Sequence, residues 1–157
     1  MGRRILHLRN GGRGFSVDLT RFCEGATPRW EITDDGALLE ISGTDRLHGP
    51  GLDGAATLCL RAGGATGGAG PTVLAARLAS RLAQSWGGGI YVVSEGSVRA
   101  FLAVFPIRFL PALPREVDRL RQLGVRSFGD LQAVPRPLLK AVFGARGGEL
   151  ADEALGV

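Results

Sequence analysis

Apolar positions along the 157-residue chain change their spacing several times, and each change marks an element. Near the start, Ile5, Leu6 and Leu8 sit between polar ends in RRILHLRN and predict a strand, which GGRG breaks. In SVDLTRFCEGA the spacing turns helical: Ser16 is placed to cap a short helix, and Leu19, Phe22 and Cys23 share its inner face. Pro28 stops it. Trp30 and Ile32 then alternate with Glu31, Asp34-Asp35-Gly36 is a turn signal, and an extended pattern resumes from Ala37 to Ile41. Asp-Gly between two β-prone runs predicts a hairpin, because glycine tolerates positive φ.

A brief helical run is expected from Leu52 to Arg61, followed by AGGATGGAG, which has no periodicity and reads as a low-complexity loop. PTVLAARLASRLAQ is the clearest helix. Pro71 suits its first turn, and Leu74, Leu78 and Leu82 with Ala75 and Ala79 make one apolar face, leaving Arg77 and Arg81 on another. Glycines 87 to 89 end it, and IYVV predicts a short buried strand. The last third is helical. SEGSVRAFLAVF is closed by Pro106. PREVDRLRQLG starts on Pro114, turns Val117, Leu120 and Leu123 inward and ends at Gly124. SFGDLQAV opens on a Ser127–Asp130 capping pattern, and PLLKAVFG is stopped by Gly144. Short helices joined by tight turns suggest a helix–hairpin–helix-like module, or else a helical subdomain that only buries its own leucines.

Composition narrows the classes. With 45% hydrophobic residues the chain can bury a core, and no apolar run approaches the length needed to span a bilayer. The basic N-terminus lacks a secretory apolar core. Cys23 and Cys59 lie far apart, no C-x-x-C occurs, and His7 and His48 are the two histidines, so a zinc site is not expected; two reduced, buried cysteines are. Net charge is +4, and of 19 basic residues only Lys140 is lysine. Arginine binds phosphate bidentately, which suits a nucleic-acid partner; an arginine-rich codon bias accounts for the excess equally well. Distribution says more than the total. Residues Arg61 to Arg108 hold five arginines and one acid, whereas Trp30 to Leu60 hold six acids and one arginine. The glycine run before Thr72 lacks the lysine of a nucleotide P-loop, which argues against that reading.

Three segments taken in order carry a resemblance: TPRWEITDDGALLEISGTDRLHGP, GPTVLAARLASRLAQ, and AFLAVFPIRFLPALPREVDRLRQLGVRSFGDLQAVPRPLLKAVFG. They are similar to the hairpin, the palm helix and the thumb of the Y-family translesion DNA polymerases, and more closely to the ImuB-like branch, whose members often lack catalytic acids. The similarity covers Thr27 to Gly144. Active members hold two Mg²⁺ ions with an aspartate at the end of the first palm strand and an Asp-Glu pair in the hairpin. By that resemblance Asp35 falls on the aspartate of the pair, Gly36 on its glutamate, and Arg9 on the other aspartate, where a guanidinium repels a divalent cation. Family lysines fall on Val73, Arg77 and Gln84, and Glu40 falls on an aspartate outside the metal site.

The resemblance implies an α+β fold: a palm-like antiparallel sheet with helices on one face over residues 1–106, then a small helical thumb over 107–157. Almost no fingers domain fits between Asp18 and Pro28, and no little-finger domain is expected after the thumb. Asp35 becomes a vestigial metal position with no catalytic residue beside it. No cofactor is expected, and Mg²⁺ only where a partner completes the site. Candidate DNA contacts are Arg126, Arg136, Lys140, Arg146 and the Gly144, Gly147 and Gly148 backbone, with Arg77 and Arg81 as further candidates; for each arginine the alternative is a solvated helix face. The implied role is a non-catalytic DNA-binding or scaffolding accessory in repair, cytoplasmic and nucleoid-associated. Its partners would be primer–template or single-stranded DNA and other translesion or recombination proteins, with no membrane. The alternatives are a nucleotidyltransferase completed by a partner chain, a protein-interaction module without nucleic acid, and a decayed fragment.

Overall fold

The computed structural model describes residues 2–10 and 15–157, so the expected break over 11–14 lies outside it. Contacts divide the chain into two compact units, one reaching to Glu95 and one starting at Gly96. The first contains β1 (Ile5–Arg9), α1 (Leu19–Ala26), β2 (Trp30–Thr33), β3 (Gly36–Glu40), α2 (Asp45–His48), α3 (Gly51–Arg61), β4 (Thr66–Gly70), α4 (Val73–Ser85) and β5 (Ile90–Val92). The second contains α5 (Val98–Ala103), α6 (Pro114–Gln122), α7 (Phe128–Ala133), α8 (Arg136–Phe143) and α9 (Ala145–Leu155), with a 3₁₀ turn at Ile107–Phe109. The division falls before the expected boundary at Pro106 because α5 packs on α7 and α9.

The α+β class is as expected. The five strands run in the order β2-β3-β1-β4-β5. All neighbours are antiparallel except β4 and β5, a parallel pair joined through α4, so the sheet is mixed rather than wholly antiparallel. Helices cover both faces rather than one. On β1, Leu6 and Leu8 point into a cluster with Cys23 and Ala26 of α1 and Ala55, Leu58 and Cys59 of α3. Ile5 and His7, one residue out of phase, meet Ala76 and Ser80 of α4. Both cysteines are buried and free.

β4 is the element that patterning misses. Its sequence, TGGAG, has almost no side chains to signal a strand, yet all five residues are buried. The glycines are there because two helices approach too closely for anything larger. A Cβ on Gly68 would lie 2.1 Å from Ser80 N and 2.2 Å from Ala76 O, on the backbone of α4. A Cβ on Gly67 would lie 2.3 Å from Cys59 Sγ of α3, on the opposite face. The α4 surface is correspondingly fine-grained: Ala75, Ala76, Ala79, Ser80 and Ala83 are buried with Leu78, while Leu74 and Leu82 are only half-buried.

Local signals place the helix ends with small shifts. Asp18, not Ser16, caps α1 and accepts a hydrogen bond from Arg21 N at 3.2 Å. Thr72 caps α4 through Ala75 N at 3.2 Å, so the helix begins two residues beyond Pro71. β5 is a partly exposed edge strand rather than a buried one. In the second unit the Ser127–Asp130 box closes as expected, with Asp130 N donating to Ser127 Oγ at 3.1 Å and Ser127 N to Asp130 Oδ2 at 2.9 Å. Its core is Leu102, Leu120, Phe128, Leu131, Leu139 and Leu150. Leu123, expected inside, is 51% exposed. Gly144, at φ +62, joins α8 to α9. No helix among the described residues is long and apolar enough to cross a membrane.

Two glycine substitutions separate close approach from chain flexibility. Gly68→Ala is expected to lower unfolding free energy by about 3 kcal/mol, because α4 must lift off β4. Gly25→Ala, in α1 with nothing within 4 Å of its added Cβ, is expected to raise it by about 0.5–1 kcal/mol. Urea denaturation of both variants checks the contrast.

Candidate functional site

The acidic pair that opens the β2–β3 hairpin is split by its surroundings: Asp34 is exposed, and Asp35 turns toward β1 and α4. Arg9 Nη1 lies 2.6 Å from Asp35 Oδ2, and Arg9 Nε donates to Gln84 Oε1 at 2.5 Å. Alternation along β1 puts His7 on the same face, with Nε2 3.2 Å from Asp35 Oδ1 and Nδ1 2.7 Å from Ser80 Oγ. Thr33 Oγ1 donates to Asp35 Oδ1 at 3.1 Å. From α4, Arg77 Nη2 and Arg81 Nη2 stand 3.9 and 3.7 Å from the carboxylate. One aspartate is therefore ringed by three guanidiniums and a buried imidazole.

Burial pulls the His7 pKa down to about 4, with Arg77 and Arg9 acting in the same direction and Asp35 opposing. For Asp35 burial is again the largest influence and works upward. His7, Arg9, the Thr33 hydrogen bond and Arg77 together outweigh it and hold the carboxyl below its usual range. At neutral pH His7 is uncharged, which leaves Arg9 and Arg77 as the cations that act on the Asp35 carboxyl. The Ser80 hydroxyl donates to Arg77 O at 2.8 Å and also stands against His7 Nδ1, so it links β1 to the backbone of α4. Arg77 Nε is buried without a hydrogen-bond partner among the described residues.

The second carboxylate that a two-metal site needs has no room here. Gly36 pairs with Arg9 across the β1–β3 ladder, and a Cβ at that position would lie 1.8 Å from Leu8 O. Glu40 is engaged elsewhere, 3.4 Å from Arg29 Nη1 and 3.7 Å from Arg3 Nη2. No group of three or more His, Cys, Asp or Glu side chains able to hold a metal is found among the described residues. Val73 sits exposed in the first turn of α4, and Gln84 orients Arg9.

In the second unit the expected contact residues differ sharply in availability. Arg136 forms a two-pronged pair with Asp152 at 2.6 and 2.8 Å. Arg146 is enclosed by Glu149 at 2.8 Å, Glu153 at 3.0 Å and Glu116 at 3.6 Å, and also donates to Pro111 O at 3.0 Å. Gly147 and Gly148 are buried within α9 rather than forming a phosphate-cradling loop, because α9 packs tightly on α8: a Cβ on Gly147 would lie 2.1 Å from Leu139 O. Gly144 is the residue left in the connection. Lys140 and Arg126 are exposed. Pattern reasoning did not single out His7, Thr33 or Ser80; the alternation of His7 with Arg9 on β1 is the one signal that points to the first of them.

No protein-family model matches the chain. It is 33% identical over 140 residues to a DNA polymerase IV of Halorhodospira halophila, covering 87% of this chain and 39% of that protein. It is 30% identical over 129 residues to a DNA polymerase IV of Dehalococcoides mccartyi, covering 78% and 33%. The chain thus spans well under half the length of these relatives. Among solved structures, DinB from Sulfolobus solfataricus matches with a TM-score of 0.63 at 20% identity over 87% of this chain and 43% of its own. The insertion ternary complex of Dbh DNA polymerase matches with a TM-score of 0.67 at 19% identity over 88% and 42%. At such identities these two show a shared fold.

The charge ring sets an acid limit on stability. Because the folded-state pKa of His7 is lowered, the unfolded chain takes up a proton below pH 6.5 that the folded chain refuses. Stability on the order of 3 kcal/mol is lost as pH falls from 6.5 toward 4. Asp35, also lowered, contributes stability that is lost only at still more acidic pH. Unfolding of His7→Gln measured at pH 7.0 and 4.5 is expected to show a shallower decline than the unsubstituted chain. Arg9→Met is expected to lose about 1 kcal/mol at pH 7, since it removes the shortest ion pair of a part-buried carboxylate that keeps Arg77, Arg81 and Thr33 beside it.

Proposed function

The chain is a partial relative of the Y-family DNA polymerases, and from that premise we propose that it is a non-catalytic, ImuB-like member that binds DNA as an accessory in repair or translesion synthesis. The observation that carries the reading is the Arg9–Asp35 pair at 2.6 Å, with Gly36 closed to any side chain. Two Mg²⁺ ions need several carboxylate oxygens around an electronegative hole. Here a single carboxylate is already neutralised by a guanidinium, so the donor set does not fit a metal pair, and no nucleotidyl transfer is derived from it.

DNA binding is supported by what surrounds that pair. Arg77 and Arg81 leave 43% and 46% of their side chains exposed, their distances to Asp35 are long, and Arg77 retains an unpartnered Nε. With Arg9 they bring three guanidiniums to the end of the central strand β1, a group of charges suited to phosphates. In the second unit, taken by itself, Lys140 and Arg126 are exposed. Binding of this kind is indifferent to base sequence and is driven by counterion release.

Two measurements on the chain test the proposal. In primer extension with Mg²⁺ or Mn²⁺, no incorporation is expected, and Asp35→Asn is expected to change nothing. Metal-dependent extension abolished by Asp35→Asn would overturn the non-catalytic reading. In anisotropy titrations against primer–template DNA, affinity is expected to fall at least tenfold between 50 and 200 mM salt, roughly what several phosphate contacts produce. No binding at the lower salt would overturn the DNA-binding reading.

A further inference from the structure

Outside the Asp35 site, the second unit gathers three arginines that sequence spacing keeps apart. A cleft of about 330 Å³ is lined by Pro106, Ile107, Arg108, Arg121 and Arg126. Its three cationic residues come from three separate stretches: the 3₁₀ turn at Ile107–Phe109, the last turn of α6, and the segment before α7. Backbone hydrogen bonds pin those stretches to one another. Ile107 N donates to Arg126 O at 2.8 Å and Phe128 N to Phe105 O at 3.0 Å, in an isolated antiparallel bridge between Pro106 and Ser127. Val125 N donates to Leu120 O at 3.0 Å, which fixes the end of α6 against the Arg126 segment. The guanidiniums are thus carried on a preset frame.

Little negative charge opposes them. Asp118 lies 3.3 Å from Arg121 and is itself 65% exposed. The Asp130 carboxylate accepts from the amides of Arg126 and Ser127 at 2.9 Å each, as part of the α7 cap. Neither Arg108 nor Arg126 has a carboxylate within ion-pair distance among the described residues. Arg108 lies over the Phe109 ring, 4.8 Å from its centroid, at the end of a Phe101–Phe105–Phe109 aromatic row.

From this geometry we infer that the Arg108–Arg121–Arg126 cleft is a phosphodiester-binding site that seats the backbone of a nucleic-acid strand on the second unit. The inference rests on the DNA-binding reading above and gives it a location. Planar guanidinium forks match phosphate oxygens in pairs, and three of them over a short apolar floor of Pro106 and Ile107 fit a small tetrahedral anion better than a flexible carboxylate chain. The aromatic-stacked Arg108 offers a flat cationic face next to the phosphate site, an arrangement suited to a strand whose bases lie alongside its backbone.

The test is an anisotropy titration of the full chain with fluorescein-labelled single-stranded and primer–template DNA across a salt series. The triple variant R108Q/R121Q/R126Q is compared with R99Q/R115Q/R119Q, which removes the same net charge from exposed positions of the same unit. The cleft variant is expected to flatten the log K against log salt slope by about 2–3, as three lost phosphate contacts require, and to weaken binding at least tenfold at 100 mM salt. The control is expected to move neither by more than a fraction of that. R108K/R121K/R126K, which keeps the charge but not the fork, is expected to retain the slope and lose part of the affinity. Equal effects of the cleft and control variants would overturn the site while leaving DNA binding intact. A lysine triple as flat as the glutamine triple would overturn it too, because charge would then not be the cause. Polyglutamate displacing labelled DNA at matched charge, in a manner lost with the cleft variant, would reassign the cleft to an acidic protein. Absence of DNA binding by the unsubstituted chain would remove the reading and the site together.

Discussion

Arg9 and Asp35 meet at 2.6 Å across the junction of β1 and the β2–β3 hairpin, and most of what is distinctive in the first unit follows from that contact. It helps hold the Asp35 carboxyl below its usual range, while the neighbouring imidazole is kept neutral by its own burial. It engages Asp35 Oδ2, while Thr33 donates to Oδ1. It also ties α4 into the same network, since Gln84 holds the Arg9 guanidinium while Arg77 and Arg81 approach from the same helix. Strand, hairpin and helix converge on one small charge cluster.

The convergence depends on α4 lying unusually close to the sheet. Alanines and Ser80 on the helix face glycines on β4, so backbone meets backbone with little side chain between. That closeness brings Ser80 within hydrogen-bond distance of His7. Cys59 over Gly67 does the corresponding work for α3 on the other face. Such a strand is held by its register with β1 and by its cover on both sides rather than by its own propensity.

Whether a feature could be read from sequence depended on the range of its causes. Asp34-Asp35-Gly36 and the Ser127–Asp130 box were legible because turn and cap chemistry act within four residues. That Arg9 and Gly36 fall on family carboxylate positions is what the resemblance implies; the pairing of Arg9 with Asp35 and the closed space at position 36 come from strand register and are invisible in the sequence. β4 was not legible, since TGGAG carries no periodicity and its order comes from neighbours remote in sequence. Nor was the pairing of Arg136 with Asp152 or of Arg146 with Glu116, acids that helix packing brings in; Glu149 and Glu153, by contrast, share α9 with Arg146. The grouping of Arg108, Arg121 and Arg126 was hidden for the same reason: it exists only because two short segments bridge.

The closed backbone at Gly36 has a structural consequence. On the proposed reading, recovering a metal pair would require an acid at position 9, another at 36, and a shift of β1 to admit it. Without the arginine, Asp35 would still face Arg77 and Arg81, and a side chain added at 36 would collide with the Leu8 carbonyl. The turn is therefore locked from outside as well as from within: the β1–β3 register cannot slide without driving position 36 into the Leu8 carbonyl or parting Arg9 from Asp35.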